Sequence, residues 1–118
     1  MAEPVVELVL TSEADPQRAE ALALALLERR LVGCVTLQPC NSQYHWQGRI
    51  ERATEVLLLL KTRPERLEEL RRTLEQLHSY ETPMWLHWRA GSSHGYGGWL
   101  AAELAGGCGN GSADLPAD

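Results

Sequence analysis

Two short apolar runs set the limits on what this chain can build. Residues 5–10 and 56–60 have strand length and are apolar throughout except at Glu7. Each leads into a stretch that begins at a proline and carries leucine or alanine at helical spacing. After the first run, Asp15-Pro16 reads as an N-cap followed by proline at the first helical position. Ala19, Leu22, Ala23, Leu26 and Leu27 then recur every three or four residues, which predicts a helix to about Arg30. Arg29 and Arg30 fall in its last turn, where cations suit the helix dipole. After the second run, Pro64 opens a helix with Leu67, Leu70, Leu74 and Leu77 along one face. Between the two helices a second strand is expected from Val32 through Val35 and Leu37, broken or bulged at Pro39 and resumed through Tyr44 and Trp46. Gln47-Gly48 reads as a tight turn into a third strand over residues 49–62. A fourth strand is expected over residues 84–89, after Pro83, and a last helix through Tyr96, Trp99, Leu100 and Leu104. Gly97 and Gly98 lie inside that helix at a cost of about 1 kcal/mol each against alanine, so tertiary packing must hold it.

The order is therefore βαββαβ plus a terminal helix. Strands alternating with helices predict parallel pairings and helices on one face of the sheet. The α/β (α+β) arrangement that fits is a ferredoxin-like double βαβ sandwich. It demands strands one and three in the middle of the sheet, and those are the two most apolar strands here. Strands two and four become edges, and an edge accommodates Pro39. A long second strand with an open edge is an association hazard that oligomerisation through that edge removes. Residues 1–105 are expected to form this one domain. Residues 106–118 are mostly Gly, Ser, Asp and Ala and read as a disordered tail.

At 118 residues the chain has the length of one domain and can bury a core without disulfides or a structural metal. A formal net charge of -5 argues against nucleic acid as a partner. The three cysteines, Cys34, Cys40 and Cys108, are odd in number and widely spaced, unlike a secreted disulfide framework. The start of the sequence lacks the positive region of a signal peptide, and no run has the length of a membrane span. The expectation is the cytoplasm, with reduced thiols and no membrane contact.

Candidate metal ligands are few. Cys34 lies in an apolar strand, where it serves as a small buried hydrophobe or as a soft ligand for copper. Cys40 is six residues on, on the same side of a continuous strand but about 20 Å away, so the two thiols cannot share an ion within one subunit. No paired Cys/His spacing of a closed zinc site exists, so no cofactor is required and any copper or other divalent ion binds weakly. His78 follows the second helix and either complements its dipole or joins Glu81 as a borderline metal donor. Glu81 otherwise pairs with Lys61 or Arg89. An intersubunit pocket is expected from Lys61, Tyr80 and Trp46, with Tyr44 and Trp46 at the subunit interface. His45, His87 and His94 are expected at the surface. The segment after the first strand, residues 11–15, has no glycine run and carries two acids, so it would repel an acyl phosphate. No Ser/His/Asp or Cys/His set can be placed by spacing, and no enzyme is expected.

Several blocks together resemble the CutA divalent-cation-tolerance family in order and spacing. They are Leu27-Glu28 leading to Gly33-Cys34-Val35-Thr36, then Pro39, Ser42, Tyr44, Trp46 and Gly48. Glu55, Leu57 and Lys61-Thr62 follow, then His78-Ser79-Tyr80-Glu81-Thr82-Pro83, and Tyr96, Trp99 and Leu100 close the match. The resemblance implies a ferredoxin-like fold, a tight homotrimer and a role in the response to divalent metals. It also marks departures. Ser79 stands where the family motif carries a proline, Met84 where it carries a glutamate, and Thr36 where asparagine is common. An acidic metal site that needs a carboxylate at position 84 is therefore lost. A second reading is a small-ligand signalling trimer of the PII type, binding nucleotides or anions. It calls for a long flexible loop between strands two and three, where this chain has only Gln47-Gly48.

Overall fold

The structure is a computed structural model and describes residues 3–105. The tail expected from Gly106 lies outside the described residues. The elements follow the expected order: β1 (Val5–Glu13), α1 (Pro16–Glu28), β2 (Cys34–Trp46), β3 (Arg49–Thr62), α2 (Leu67–Leu77), β4 (Leu86–Gly91) and α3 (His94–Ala105). A 3-10 turn over Pro64–Arg66 leads into α2.

The four strands lie in the order β2-β3-β1-β4, which puts the two apolar strands in the middle and β2 and β4 at the edges. The expectation of parallel pairings is corrected: all three neighbouring pairs are antiparallel. The reason is that each βαβ unit is split. β3 lies between β1 and β2, and β1 lies between β3 and β4, so the strands that run parallel never touch.

β1 alternates between two buried faces. Val9 and Thr11 face the same side as their partners Leu60 and Leu58. On that side α1 and α2 supply Ala19, Leu22, Ala23, Leu26, Leu70 and Leu74, which complete the main core. Val6 and Leu8 face the opposite side, where α3 packs through Leu100 and Leu104. The terminal helix therefore lies on the other face from α1 and α2. Its close approach depends on small residues. A Cβ on Gly33 would run into the Leu100 side chain, and one on Gly97 would meet Pro4. Packing thus accounts for Gly97, while Gly98 has open space around it.

Element ends follow local chemistry. Asp15 accepts from the Arg18 N–H at 2.8 Å and caps α1, with Pro16 next. The other end of α1 departs from expectation. Arg29 is the C-cap and Arg30 has left the helix, at φ 55. Glycine usually takes such a position. Here the Arg30 guanidinium reaches across to the Glu103 carbonyl at 2.8 Å and ties α1 to α3. Pro39 neither breaks nor bulges β2: the register passes through it, opposite Val56, without a skip. An edge strand tolerates a missing donor on its open side. β4 begins at Leu86, two residues later than expected, and Trp85 packs against the main core instead of joining the sheet.

β2 and β3 outrun the sheet. β1 pairs with β3 only as far as Glu13 opposite Val56, whereas β2 stays paired down to Trp46 opposite Arg49. The far half of the hairpin is thus a two-stranded arm, turned by Gln47 and Gly48 at positive φ. It accounts for the elongated shape, 50 × 28 × 26 Å. Beyond α3, the face that carries Leu10, Leu59, Leu86 and Trp88 has no covering layer among the described residues, and Leu86 and Trp88 are exposed.

Candidate functional site

Where the arm leaves the sheet, its open face and the segment after α2 enclose a cleft of about 840 Å3. The hairpin contributes Tyr44, Trp46, Glu51 and Glu55, and the segment contributes Tyr80, Glu81 and Met84. Sheet geometry puts the hairpin residues together. On one face β2 offers Ser42, Tyr44 and Trp46, and β3 offers their register partners Ala53, Glu51 and Arg49.

At the inner end of the cleft Glu55 is buried, only 8% exposed. Its Oε1 accepts from the Tyr80 hydroxyl at 2.7 Å and from the Ser12 hydroxyl at 3.2 Å, and the Ser42 hydroxyl lies near the same carboxyl. Burial works to raise its pKa, but the Ser42, Tyr80 and Ser12 hydroxyls outweigh it and hold the carboxyl below its ordinary value. The same contacts act in reverse on Tyr80. Burial, then its bond to the charged Glu55, push its phenol well above the ordinary value.

Behind Tyr80 lies a second buried carboxylate. Glu13 accepts from the N–H of Ala14 and the N–H of Ser79, each at 3.0 Å, and from the Ser79 hydroxyl. Burial again opposes ionisation, and these bonds again win. His78 is buried beside it. One ring nitrogen, Nε2, lies 2.6 Å from the Ser12 carbonyl and so donates to it, and Nδ1 accepts from the Tyr80 N–H at 3.0 Å. That pattern describes the neutral imidazole with its proton on Nε2. His78 thus pins the segment after α2 to the end of β1, beyond any dipole role.

The expected site residues fall into two groups. Tyr80, Trp46, Tyr44 and Glu81 line the cleft, and so does Met84. Lys61 does not join them. It lies with Cys34 on the same face of the sheet, six residues along β3 from Glu55, or about 20 Å. There its ammonium is 3.6 Å from the Cys34 thiol and donates to the Thr36 hydroxyl. The thiol is half-buried. Tyr96 of α3 completes this group. Burial first, then the Cys34 sulfur, raise its phenol to about 12. The expected Glu81 pairings with Lys61 or Arg89 are corrected. Glu81 is exposed, Lys61 turns to Cys34 and Thr36, and Arg89 pairs with Glu7 at 3.0 Å. His87 is exposed but has a partner too, Glu7, at 2.8 Å. His45 and His94 are exposed as expected. Among the described residues no three His, Cys, Asp or Glu side chains converge on a point where a metal ion could sit.

Sequence reasoning missed Glu13, Ser12 and Glu55 as site residues. The available signal was their placement: Glu13 and Glu55 each interrupt or bound an apolar strand, where a charge is costly unless it is bonded.

The fold and this site define a small α/β ferredoxin-like domain with a long hairpin arm and an acid-lined cleft at its base. Comparison with known proteins names the group. The family model for the CutA1 divalent ion tolerance protein matches residues 7–103. The divalent-cation tolerance protein CutA of Pectobacterium atrosepticum is 38% identical over 99 residues, covering 82% of this chain and 90% of that one. The structure of CutA from Synechococcus elongatus PCC7942 superposes with a TM-score of 0.84 at 36% identity, covering 87% of this chain and 94% of that one. The periplasmic divalent cation tolerance protein CutA from Archaeoglobus fulgidus gives 0.82 at 30% identity, covering 84% and 98%. The chain belongs to the CutA divalent-cation tolerance family.

Proposed function

We propose that the protein acts as a homotrimer in the cytoplasm, in the response to divalent metal ions. In this reading it binds copper weakly and is not an enzyme. The observation that carries the assembly is the arm. A two-stranded ribbon is marginal in water by itself, yet this one extends past the sheet with Tyr44, Trp46 and Ile50 exposed. Ile50 is 70% exposed. The uncovered face with Leu86 and Trp88 adds a second apolar surface, and β2 adds a thirteen-residue open edge. A closed cyclic assembly covers all three at once.

The metal reading rests on donor chemistry. Cys34 is a half-buried soft donor, 3.6 Å from the Lys61 ammonium. The His78–Glu81 pair is the other donor set, and there an ion must displace the Ser12 carbonyl or the Tyr80 N–H from the imidazole. That competition supports weak binding, as does the lack of a third converging donor among the described residues. The missing carboxylate at Met84 points the same way. The short Gln47-Gly48 turn favours this reading over the PII-type one.

Light scattering tests the assembly: the mass expected is about three times 13.1 kDa. A clean monomer overturns it. Copper titration calorimetry on the wild type, Cys34→Ser and a His78→Ala/Glu81→Ala double variant tests the donors. Loss of binding in either variant assigns the site, and unchanged binding in both refutes the assignment.

A further inference from the structure

Of the chain's eleven lysines and arginines only one, Lys61, is a lysine. It stands directly opposite Cys34 in the β2–β3 ladder, with its ammonium 3.6 Å from the thiol. Its other partner is the Thr36 hydroxyl, and it makes no ion pair among the described residues. The residue type matters chemically. A guanidinium keeps its proton and is no nucleophile at neutral pH, whereas a lysine amine can lose a proton and attack. The backbone holds the pair in register, since the Gly33 N–H donates to the Lys61 carbonyl at 2.9 Å, next to Cys34. An oxidisable sulfur and a primary amine are therefore in contact within one chain. Cys40 has no such neighbour across the ladder: its register partner is Glu55.

We propose that Cys34 and Lys61 form a reversible covalent sulfur–nitrogen link, a sulfenamide, when the protein meets hydrogen peroxide. In the first step the thiol sulfur takes one oxygen from peroxide. The O–O bond breaks, an S–O bond forms, sulfur is oxidised by two electrons to the sulfenic acid, and the rest of the peroxide leaves as water. In the second step the Lys61 nitrogen, having released a proton to solvent, attacks that sulfur. The N–S bond forms, the S–O bond breaks, and the hydroxyl leaves as water with a proton from the amine. One thiol, one amine and one peroxide thus give one link and two waters. Sulfenic acids condense in this way with backbone nitrogen, and the four-carbon lysine stem lets a side-chain nitrogen close the gap without moving either strand. An external thiol reverses the link by attacking the sulfur, which frees the amine and leaves a mixed disulfide for a second thiol to reduce. The link shields Cys34 from irreversible oxidation and ties β2 to β3 at the root of the hairpin. It needs no open cleft. Both reacting groups already touch, and only peroxide must reach them, so the inference depends on neither the trimer nor the copper reading.

The test treats the full-length protein with hydrogen peroxide at neutral pH, blocks the remaining thiols, digests with trypsin and maps the peptides by mass spectrometry. The expected product joins the peptide bearing Cys34 to the peptide bearing Lys61, with the loss of two hydrogen atoms and of tryptic cleavage after Lys61. Dithiothreitol should restore both peptides. Dimedone, which captures sulfenic acids, should label Cys34 and suppress the link when present during oxidation. Lys61→Arg keeps the positive charge but cannot condense, so there Cys34 should advance to the sulfinic acid, which dithiothreitol does not reverse. Recovery of wild-type Cys34 only as free thiol, as sulfinic acid or as a disulfide with another cysteine overturns the proposal. So does a link between two copies, seen as a doubled mass on a denaturing gel. If Lys61→Arg does not fold, the wild-type peptide map decides alone.

Discussion

Ser79 gives both of its donors to Glu13: its N–H lies 3.0 Å from Oε2, and its hydroxyl donates to Oε1. A proline, which the family motif carries at this position, supplies neither. The departure at residue 79 is therefore tied to a buried acid at the far end of β1. Ser79→Ala should cost about 1.5–3 kcal/mol in denaturant unfolding, as for a hydrogen bond to a charged group, and Ser79→Pro more. The pH dependence follows. Glu13 has a folded pKa below the ordinary 4.5, so its contribution is complete above that value and is lost as pH falls through the lowered one. In Ser79→Ala the acid side of the stability profile should flatten. An unchanged profile would show that the hydroxyl does not hold Glu13.

Tyr80 and Tyr96 should resist ionisation. Burial and Glu55 hold the Tyr80 phenol well above 10.0, and burial with Cys34 raises Tyr96 to about 12. At about pH 11 both phenols remain protonated, so the phenolate absorbance there should be the same in Tyr96→Phe as in wild type. A raised folded pKa in a phenol stabilises the fold fully below its unfolded value and loses that contribution as pH rises through the folded one. The alkaline loss of stability should therefore be smaller in Tyr80→Phe. Early ionisation of Tyr96 in the folded protein would contradict its contact with Cys34.

Trp88→Glu should dissociate the proposed trimer and leave the subunit folded. The side chain lies on the uncovered face and is 44% exposed in the single chain, so a charge there costs the isolated subunit little. Buried between copies it would be unpaired. Scattering mass should fall toward 13.1 kDa with the far-ultraviolet circular dichroism retained. A trimer that survives the substitution moves the interface elsewhere.

Leu58→Ala should cost about 2–5 kcal/mol, the range for a truncated core leucine. The residue is fully buried on a central strand beneath both helices. Gly33→Ala is the opposite change, adding volume where Leu100 leaves none, and about 1–3 kcal/mol is expected from overpacking. Hydrogen exchange should place the second loss in α3 and not in α1 or α2.

The fold was largely legible because its signals are local. Asp15-Pro16, the leucine spacing and the Gln47-Gly48 turn report directly on neighbouring backbone. What local pattern does not carry is which strands touch. Alternating strands and helices suggested parallel pairs, and only the insertion of β3 and β1 between them made every pair antiparallel. Arg30 at positive φ was invisible for a similar reason, since its support comes from Glu103 on the other side of the chain. The site was half legible. Tyr80 and Trp46 stood out by type, and within one chain Lys61 lies apart from them, six residues along β3 from Glu55. Glu13 and Ser79 meet across 66 residues of sequence, and no spacing rule relates them.

The strand order also bears on how the chain is made. β1 is the first strand to leave the ribosome, and both of its neighbours come later: β3 and then, opposite Val5, Gly91 of β4. At ordinary translation speeds the interval from Glu13 to Gly91 is on the order of ten seconds. Throughout it, the most apolar strand of the protein has at least one unpaired edge. The nascent chain can cover one side of β1 with α1, but it cannot close the sheet until nearly all of the domain has been synthesised. Newly made copies on neighbouring ribosomes would meet in that window with β1 still open to pairing. The acids at Glu7 and Glu13, which the finished fold must go to some length to satisfy, place a charge within and at the end of that strand while it waits.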